Sequence, residues 1–540
     1  MWTAKSFQND DHIILSAYLL IPTFLLVFAL WAQHVVARSK QNVVTPMSLV
    51  LIIGMTVSAI ANVCGAYDVD QSQFQFANIE LSSSVFYFAL LPPIIHSSAY
   101  SVRRKDLLRN WDAVCLLAFA GSIISILVMT MVFRVIIQVF LPDIEVSTIE
   151  LLTFSSLISS VDPVSALAVF SKLRVDPNLY YLLLSESLFN DAVCVVAYRV
   201  LSKYIGTSIN MQEIAMVVLR EFTLTLLLSL LLGYLCGLAI ALFLKDCGHF
   251  PGRRHDRLVT ICILICHVYL PFLLAEAVEL SGIVAVVASS ISTRRYASKN
   301  LVGATKQMAS FTFSTMSHAS ETATFLLLGM SVFSQYIASY NLGFILAAIV
   351  AMVFARAVFV YPLVALVNLR RQWTSPGGLH ISLNITHMVV ISGCLRGAVS
   401  FSCANIYPNS CGNHGLILST TTALVLVTTF GVGGSVEWLL GRAGIAMKCQ
   451  QRTAQDNRGI GKVPDREGRC LYPLLLRQPL VPITPHAEVS AEMGQDDEAE
   501  VYSLSHATPH ESDSEGEWEG DEASDEGFHT PQQCRESGQV

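Results

Sequence analysis

Two carboxylates lie inside an almost wholly apolar stretch, LLLSESLFNDAVCVV at residues 182–196. Glu186 and Asn190 are four residues apart and share one face of a helix, whereas Asp191 points about 100° away from Asn190. A charge at bilayer depth is costly, so it usually faces a bundle interior or water. Held partly away from water, Asp191 can bind a proton or a hard cation near neutral pH, and that competition would couple two ions. The alternative is a purely structural buried acid.

A second acid, Asp162, precedes a proline in SSLISSVDPVSALAVF at residues 155–170. Proline removes one backbone donor and frees a carbonyl about one turn earlier. Such a break inside a membrane is tolerated only where protein or a water-filled cavity satisfies the backbone. Ser159 and Ser160 add further oxygens, so we expect Asp162 and Ser160 to join Asp191 in an ion site. The freed backbone donors should keep Asp162 ionised. A proline kink with a capping aspartate is the alternative.

Three more charged residues lie at membrane depth. Arg396, between small residues in GCLRGAVSFS, needs a counter-ion, and we expect Glu186 to be its partner in a structural clamp. Glu321, beside Ser320 in SHASETATFLLLG, either joins the polar centre or makes interhelical hydrogen bonds. Arg356 in FARAVFVYPL could bind a partner acid, lipid headgroups or backbone carbonyls, and the sequence leaves that choice open. Four charges near span ends are set aside because they can reach the interface: Arg134, Arg199, Arg220 and Glu437.

The composition indicates what must position these residues. Of 540 residues, 53% are hydrophobic and only 14% are charged, against about 25% charged in soluble proteins. Apolar runs recur from residue 12 to residue 440, which is typical of a helical protein that crosses the membrane many times. Hydropathy predicts thirteen spans: 12–37, 43–60, 78–98, 112–141, 150–170, 180–202, 217–244, 257–277, 280–293, 308–334, 342–368, 386–406 and 414–440.

Every loop after an odd-numbered span carries Lys or Arg, whereas Lys203 is the one base in the loops after even-numbered spans. The positive-inside rule then places the N-terminus outside or in a lumen and the C-terminus in the cytoplasm. Spans 5 and 12 are seven apart, and an odd offset inverts orientation. Six spans, a linker span and six more therefore predict an inverted repeat with its ion site near the membrane midplane.

The chain divides into a transmembrane domain, 1–445, and a cytoplasmic tail, 446–540. The last fifty residues hold 15 acidic residues and one basic residue, Arg535, so we expect this tail to be largely disordered. It either recruits cytosolic partners or kinases, or serves as a solvated spacer. Seven of thirteen cysteines lie in predicted spans, which argues against a disulfide framework, although a Cys64–Cys411 bridge is possible.

Six motifs together resemble the sodium/proton exchanger (NHE) family of monovalent cation:proton antiporters, somewhat closer to its organellar branch. They cover about residues 80–440 and read FALLPPII, SSVDPVSALAVF, ESLFNDAV, LAEAVELSGIVA, SETATFLLLGMS and LRGAVSF. The resemblance implies an NhaA-like all-α fold of about 13 transmembrane helices, with a 6+1+6 inverted repeat and broken helices at spans 5 and 12. It also implies a homodimer and electroneutral exchange of Na⁺ or K⁺ for H⁺, with no cofactor.

The resemblance assigns roles to residues as well. Asp191 carries over as the ion-binding carboxylate and Asn190 as its neighbour, and Asp162 carries over as the polar group of a broken helix. Glu186 and Arg396 carry over as the stabilising pair. One departure follows LPPII, where this chain reads HSSAY instead of an acid and a glycine. There, His96 is either a pH-responsive substitute or an ordinary interfacial histidine.

We therefore expect a secondary antiporter and not an enzyme, acting by alternating access in a Golgi, endosomal or plasma membrane. Its partners would be the bilayer, monovalent cations, protons and a second copy of the chain, with no nucleic acid. A cation or proton channel with the same polar centre is one alternative. A membrane scaffold that transports nothing and recruits partners with its acidic tail is the other.

Overall fold

The computed structural model describes residues 20–36, 45–63, 86–102, 104–207, 211–247, 254–301, 303–333, 339–374 and 380–445. Regular structure within these ranges is entirely helical. The acidic tail and Cys64 lie outside the described residues. The expected disorder of the tail, the two-domain division and the Cys64–Cys411 bridge therefore stay predictions.

Each of the thirteen predicted spans falls on a described helix or on a pair of helices. Eight described helices are long and apolar enough, by length and composition, to cross a membrane. The helices that correspond to the thirteen predicted spans are Leu20–Val36, Pro46–Val63, Phe86–Leu90 continued by Leu91–Ser101, Trp111–Phe140, Thr148–Ser159, Val164–Lys172, Pro177–Ser202, Met211–Cys247, Arg254–Ala277, Gly282–Arg295, Gly303–Ser331, Leu342–Thr374, Leu383–Ser392, Ala398–Asn405 and His414–Arg442. Two short helices, Arg104–Arg109 and Ala297–Lys299, lie between them.

Two of the spans are broken in the middle, as predicted. The first broken helix consists of Thr148–Ser159 and Val164–Lys172, separated by extended backbone that begins at Ser160. Pro163 explains this break, because a proline disfavours helical backbone at the residue before it. The second broken helix consists of Leu383–Ser392 and Ala398–Asn405. It has no proline at its break, where the segment Gly393–Gly397 has a glycine at each end and leaves the helix.

The carboxylate helix, Pro177–Ser202, is continuous and almost wholly buried. Its start is well specified, because the Asp176 side chain accepts a hydrogen bond from the Asn178 backbone N–H at 3.0 Å and Pro177 occupies the first helical position. Burial on all sides explains why its sequence is apolar all round instead of amphipathic. The helix therefore runs through the middle of the protein.

The helices pack into two bundles. The core bundle contains Trp111–Phe140, both broken helices, the carboxylate helix, Leu342–Thr374 and His414–Arg442. The scaffold bundle contains Pro46–Val63, the helix over 86–101, Met211–Cys247, Arg254–Ala277, Gly282–Arg295 and Gly303–Ser331. The carboxylate helix also packs against three scaffold members, Leu91–Ser101, Met211–Cys247 and Gly282–Arg295.

Glycines allow the scaffold helices to touch backbone to backbone. A Cβ at Gly54 would lie 2.4 Å from the Leu326 carbonyl oxygen, and one at Gly233 would lie 2.1 Å from that of Ala285. Small residues at helix contacts supply the close packing that replaces the hydrophobic effect between helices in lipid. The scaffold is thus a tightly joined group of helices.

Candidate functional site

The two broken helices cross at their breaks, and Asp162 joins them. Its backbone N–H donates to the Leu395 carbonyl at 3.1 Å. Its carboxylate accepts hydrogen bonds at 3.2 Å from the backbone N–H of Val164 through Oδ1 and of Ala398 through Oδ2. These donors begin the second half of each broken helix, where the helix dipole favours negative charge. One carboxylate thus caps two helix N-termini.

Gly397 makes this crossing possible. A Cβ at this position would lie 1.8 Å from Asp162 Oδ2 and 2.8 Å from Asp162 Cβ. Any side chain would therefore push the carboxylate away from the Ala398 N–H. The requirement is one of space, and it explains a glycine directly after Arg396.

Hydroxyl groups satisfy other polar atoms around the breaks. Ser160 Oγ lies 2.8 Å from Ser400 Oγ on the second broken helix. Ser187, on the carboxylate helix, donates to the Val161 carbonyl at 2.6 Å. One carbonyl of the broken segment is thus satisfied by a side chain from the neighbouring helix, as an irregular backbone in a membrane requires. Ser159 is also buried, at 2% exposure.

Asp191 faces this crossing from the carboxylate helix. Its side chain is partly exposed, while its Oδ1 atom is buried and accepts no hydrogen bond from any described residue. Asp162, Glu186 and Arg396 lie near enough for their charges to act on it. The backbone N–H of Val161, in the first break, also acts on this carboxylate, so Asp191 faces the break with one oxygen that has no donor among the described residues.

Asn190 precedes Asp191 on the carboxylate helix. It is 1% exposed, and its Oδ1 accepts a contact from Cys194 Sγ at 2.9 Å, one turn further along the same helix. Asp162 lies near enough to Asp191 for the two charges to interact, and Ser160 lies in the break that Asp162 caps. The roles of Ser160 and Asn190 in ion binding stay predictions.

The expected Glu186–Arg396 pair is wrong in this structure, because Glu186 binds Arg356 instead. The two guanidinium nitrogens of Arg356 donate to the two carboxylate oxygens of Glu186 at 2.9 and 3.0 Å. The side chains are 0% and 3% exposed. A Cβ at Gly393 would lie 2.0 Å from Arg356 Nη2, so this glycine leaves the space that the guanidinium fills. The clamp therefore links the carboxylate helix to Leu342–Thr374 and touches the second broken helix.

Arg396 has a different partner set. Its Nη1 donates to the carbonyls of Gly393 at 2.8 Å and Leu395 at 2.9 Å, and its backbone N–H donates to Thr428 Oγ1 at 3.2 Å. The end of the half-helix Leu383–Ser392 leaves carbonyls without helical donors, and a cation there also suits the negative end of the helix dipole. Arg396 thus holds the break in shape, near Asp191.

Glu321 lies at the edge of the same centre. It accepts a hydrogen bond from Ser317 Oγ at 2.9 Å on its own helix, and its charge and that of Asp162 act on each other. Its neighbour Ser320 is 8% exposed. Thr322, which follows, accepts a hydrogen bond from Gln33 at 3.4 Å and so ties the first described helix to this one.

Sequence reasoning missed a second ion pair. Arg199, set aside as a residue at a span end, donates to both oxygens of Glu276 at 2.8 and 2.5 Å. Glu276 also accepts from the Tyr87 hydroxyl at 3.1 Å and the Gly282 N–H at 3.0 Å. The only signal in the sequence is an acid inside the predicted span 257–277, in the motif LAEAVELSGIVA, for which the sequence suggests no partner.

His96 is neither exposed nor at an interface with water. It is 1% exposed, its Nδ1 lies 2.7 Å from Ser290 Oγ, and its ring centroid is 4.6 Å from that of Phe313. The interfacial reading is therefore wrong. The HSSAY segment, where the chain departs from the family pattern, therefore begins with a packed ring.

With this geometry in view, comparison with known proteins gives a consistent result. Residues 23–442 match the family described as sodium/hydrogen exchanger, transmembrane. Sodium/hydrogen exchanger 5 of Arabidopsis thaliana is 31% identical over 78% of this chain and 79% of its own. The endosomal/prevacuolar sodium/hydrogen exchanger of Saccharomyces cerevisiae is 26% identical over 83% of this chain and 70% of its own.

Among solved structures, the sodium proton antiporter MjNhaP1 of Methanocaldococcus jannaschii has a similar fold. The TM-score is 0.58, with 17% sequence identity, over 80% of this chain and 98% of that one. The fold is the one found in that integral membrane antiporter. The chain belongs to the transmembrane sodium/hydrogen exchanger family, as the motifs predicted.

Proposed function

We propose that this protein exchanges Na⁺ or K⁺ for H⁺ by alternating access, with Asp191 as the shared site of the cation and the proton. One observation carries the proposal: a buried Asp191 oxygen accepts no hydrogen bond from the described residues, beside two broken helices. That atom is free to receive a proton in one state and to coordinate a cation in another, whereas both carboxylate oxygens of Asp162 already accept backbone hydrogen bonds.

The neighbouring groups support this assignment. Asp162 caps two half-helices and supplies negative charge near Asp191. Ser160 and the unwound carbonyls provide neutral oxygens, which alkali cations accept as ligands in place of water. Arg396 offsets the concentration of negative charge, so that the centre does not hold its cation too tightly to release it. The transported ion is therefore a substrate, and no resident cofactor is required.

The same comparisons support a proposal about the membrane in which the protein acts. A relative named as endosomal and prevacuolar, together with the organellar motifs, favours an intracellular membrane with the C-terminus in the cytoplasm. We also propose that the protein acts as a homodimer and that its acidic tail meets cytosolic partners or kinases.

Sodium-driven pH change in proteoliposomes tests the function. Purified protein is reconstituted with a pH dye inside, and an inward Na⁺ or K⁺ gradient is applied. Antiport predicts that the lumen becomes alkaline as cation enters. A channel would instead respond to an imposed membrane potential without obligatory cation exchange. The absence of any response from folded protein would support the scaffold alternative.

A further inference from the structure

The ion pair of Arg199 and Glu276 joins the two bundles. Arg199 lies on the carboxylate helix of the core bundle, and Glu276 lies on Arg254–Ala277 of the scaffold bundle. The contact is bidentate, and Arg199 donates a further hydrogen bond to the Leu280 carbonyl just beyond the scaffold helix. The side chains are 26% and 11% exposed, so the pair is partly shielded from solvent.

The scaffold side of this contact is held in place. Glu276 accepts hydrogen bonds from the Tyr87 hydroxyl at 3.1 Å and the Gly282 N–H at 3.0 Å. These donors belong to two other scaffold helices. The carboxylate is thus fixed by its own bundle, and the guanidinium of the core bundle docks onto it. A bidentate pair of this kind depends on alignment as well as distance.

Other ion pairs differ in what they connect. Glu186–Arg356 and Asp112–Arg371 both lie inside the core bundle, at N–O distances of 2.9 and 2.5 Å. Lys203 and Glu221 also span the two bundles, but at 3.9 Å and with 52% and 36% exposure. Exposed pairs at such distances contribute little to stability. Arg199–Glu276 is thus the better aligned of these two described links between the bundles.

Arg199 lies eight residues after Asp191, which places it about 12 Å further along the same helix. If the core bundle moves against the scaffold around the ion site, as alternating access requires, the displacement at this end separates the guanidinium from the carboxylate. We propose that the Arg199–Glu276 pair is a latch that stabilises the conformation described here against the one with the core bundle displaced. The proposal rests on the alternating-access function above.

The test measures the position of one bundle relative to the other. Nitroxide amino acids are introduced at Thr207, exposed just after the carboxylate helix, and at Val278, 59% exposed at the end of Arg254–Ala277. Distances between the labels are recorded by pulsed electron paramagnetic resonance in lipid nanodiscs. In Arg199→Ala, the population with the core bundle displaced should rise about tenfold relative to the population in the conformation described here. This is the effect expected for loss of a partly shielded, charge-assisted bidentate pair.

Three further variants decide the interpretation. Lys203→Ala removes a positive charge one turn away and should leave the distances unchanged. Arg199→Gln keeps a similar length without the charge and should behave like Arg199→Ala, which covers the case in which the alanine variant fails to fold. Adding Glu276→Gln to Arg199→Gln should produce no further shift, because partners in one interaction are not additive.

Unchanged distances in the Arg199 variants, or a shift of equal size in Lys203→Ala, would overturn the latch. A parallel exchange assay keeps the two proposals apart. If the parent protein exchanges no cation for protons, the proposed function is refuted. The ratio of the two conformations, obtained from the label distances, still reports whether Arg199 holds the bundles together.

Discussion

Glu186 and Arg356 are 170 residues apart in sequence and meet through two hydrogen bonds of 2.9 and 3.0 Å in a fully buried setting. The pair lies about one and a half helical turns from Asp191 on the carboxylate helix. Removing one partner of such a pair leaves an uncompensated buried charge. The carboxylate helix therefore depends on Arg356 for its place in the core bundle.

Glu186→Ala and Arg356→Ala should each lower the free energy of unfolding by about 3–5 kcal/mol, because each leaves a buried charge without its partner. The double variant should recover part of that loss. Thermal unfolding in detergent, followed by tryptophan fluorescence, measures the effect. The matched comparison is Glu186→Ala with Arg396→Ala, whose effects should add. The pairing of Glu186 with Arg396 would be restored if the losses of unfolding free energy added for Glu186→Ala and Arg356→Ala but not for Glu186→Ala and Arg396→Ala.

Asp191→Asn should abolish cation-driven proton flux while the protein stays folded, because asparagine preserves the shape of the side chain and removes its ability to bind a proton. The pH change in proteoliposomes measures the flux, and the elution volume and melting temperature control for folding. Ser187→Ala serves as a matched variant on the same helix, where a hydrogen bond is lost but the titrating group stays. Flux near the parent rate in Asp191→Asn would refute the assignment.

Gly397→Ala should eliminate exchange and destabilise the protein by about 1–3 kcal/mol, as overpacking of a filled site does. The new Cβ would overlap Asp162 Oδ2, which is 1.8 Å from its position, and break the cap on Ala398. Gly431→Ala, where a Cβ meets nothing within 4 Å, is the control and should be tolerated. Exchange assays and melting curves of the two variants are compared side by side. Equal exchange rates and melting temperatures in the two variants would show that the crossing of the broken helices can relax around a methyl group.

One titrating carboxylate implies exchange of one proton for one monovalent cation, with no net charge moved. Transport should then be insensitive to membrane potential and should slow at low pH on the side from which cation binds, since protons compete for Asp191. Asp162 is engaged by two backbone donors at helix N-termini, which stabilise its anion. Recordings on solid-supported membranes measure the current. A sustained sodium-driven current that disappears in Asp191→Asn would contradict this and implicate Asp162 as a second carrier.

Hydropathy sufficed to locate the helices, because long apolar runs with basic loops have few alternatives in a bilayer. The break at Asp162 was also predictable, since Pro163 removes a donor at a defined place. The partner of Glu186 could not be predicted in this way. A helical wheel tells which way a side chain points but not which helix lies there, so Arg356 and Arg396 were both compatible with the sequence. The space beside Gly393 decides between them, and it exists only in the packed structure.

The same limit explains why the contacts of Arg199 and Gly397 could not be predicted from the sequence. Distance from a span centre suggested that Arg199 reaches solvent, although a carboxylate of another bundle lies within 2.5 Å. The sequence identifies Gly397 as one of several small residues that permit close approach, but it does not reveal that the approaching atom is Asp162 Oδ2. Contacts between distant segments are the information that periodicity and composition do not contain.

The crossing also has a consequence for how the chain is assembled during synthesis. Asp162 and its partner Ala398 are 236 residues apart, and the Leu395 carbonyl that Asp162 also needs is nearly as distant. The first broken helix enters the membrane long before these partners have been translated, because synthesis runs from the N-terminus. We expect the early chain to hold Asp162 at a water-filled or chaperoned site until the second broken helix arrives. Fragments that end before residue 398 should therefore be selectively degraded in cells.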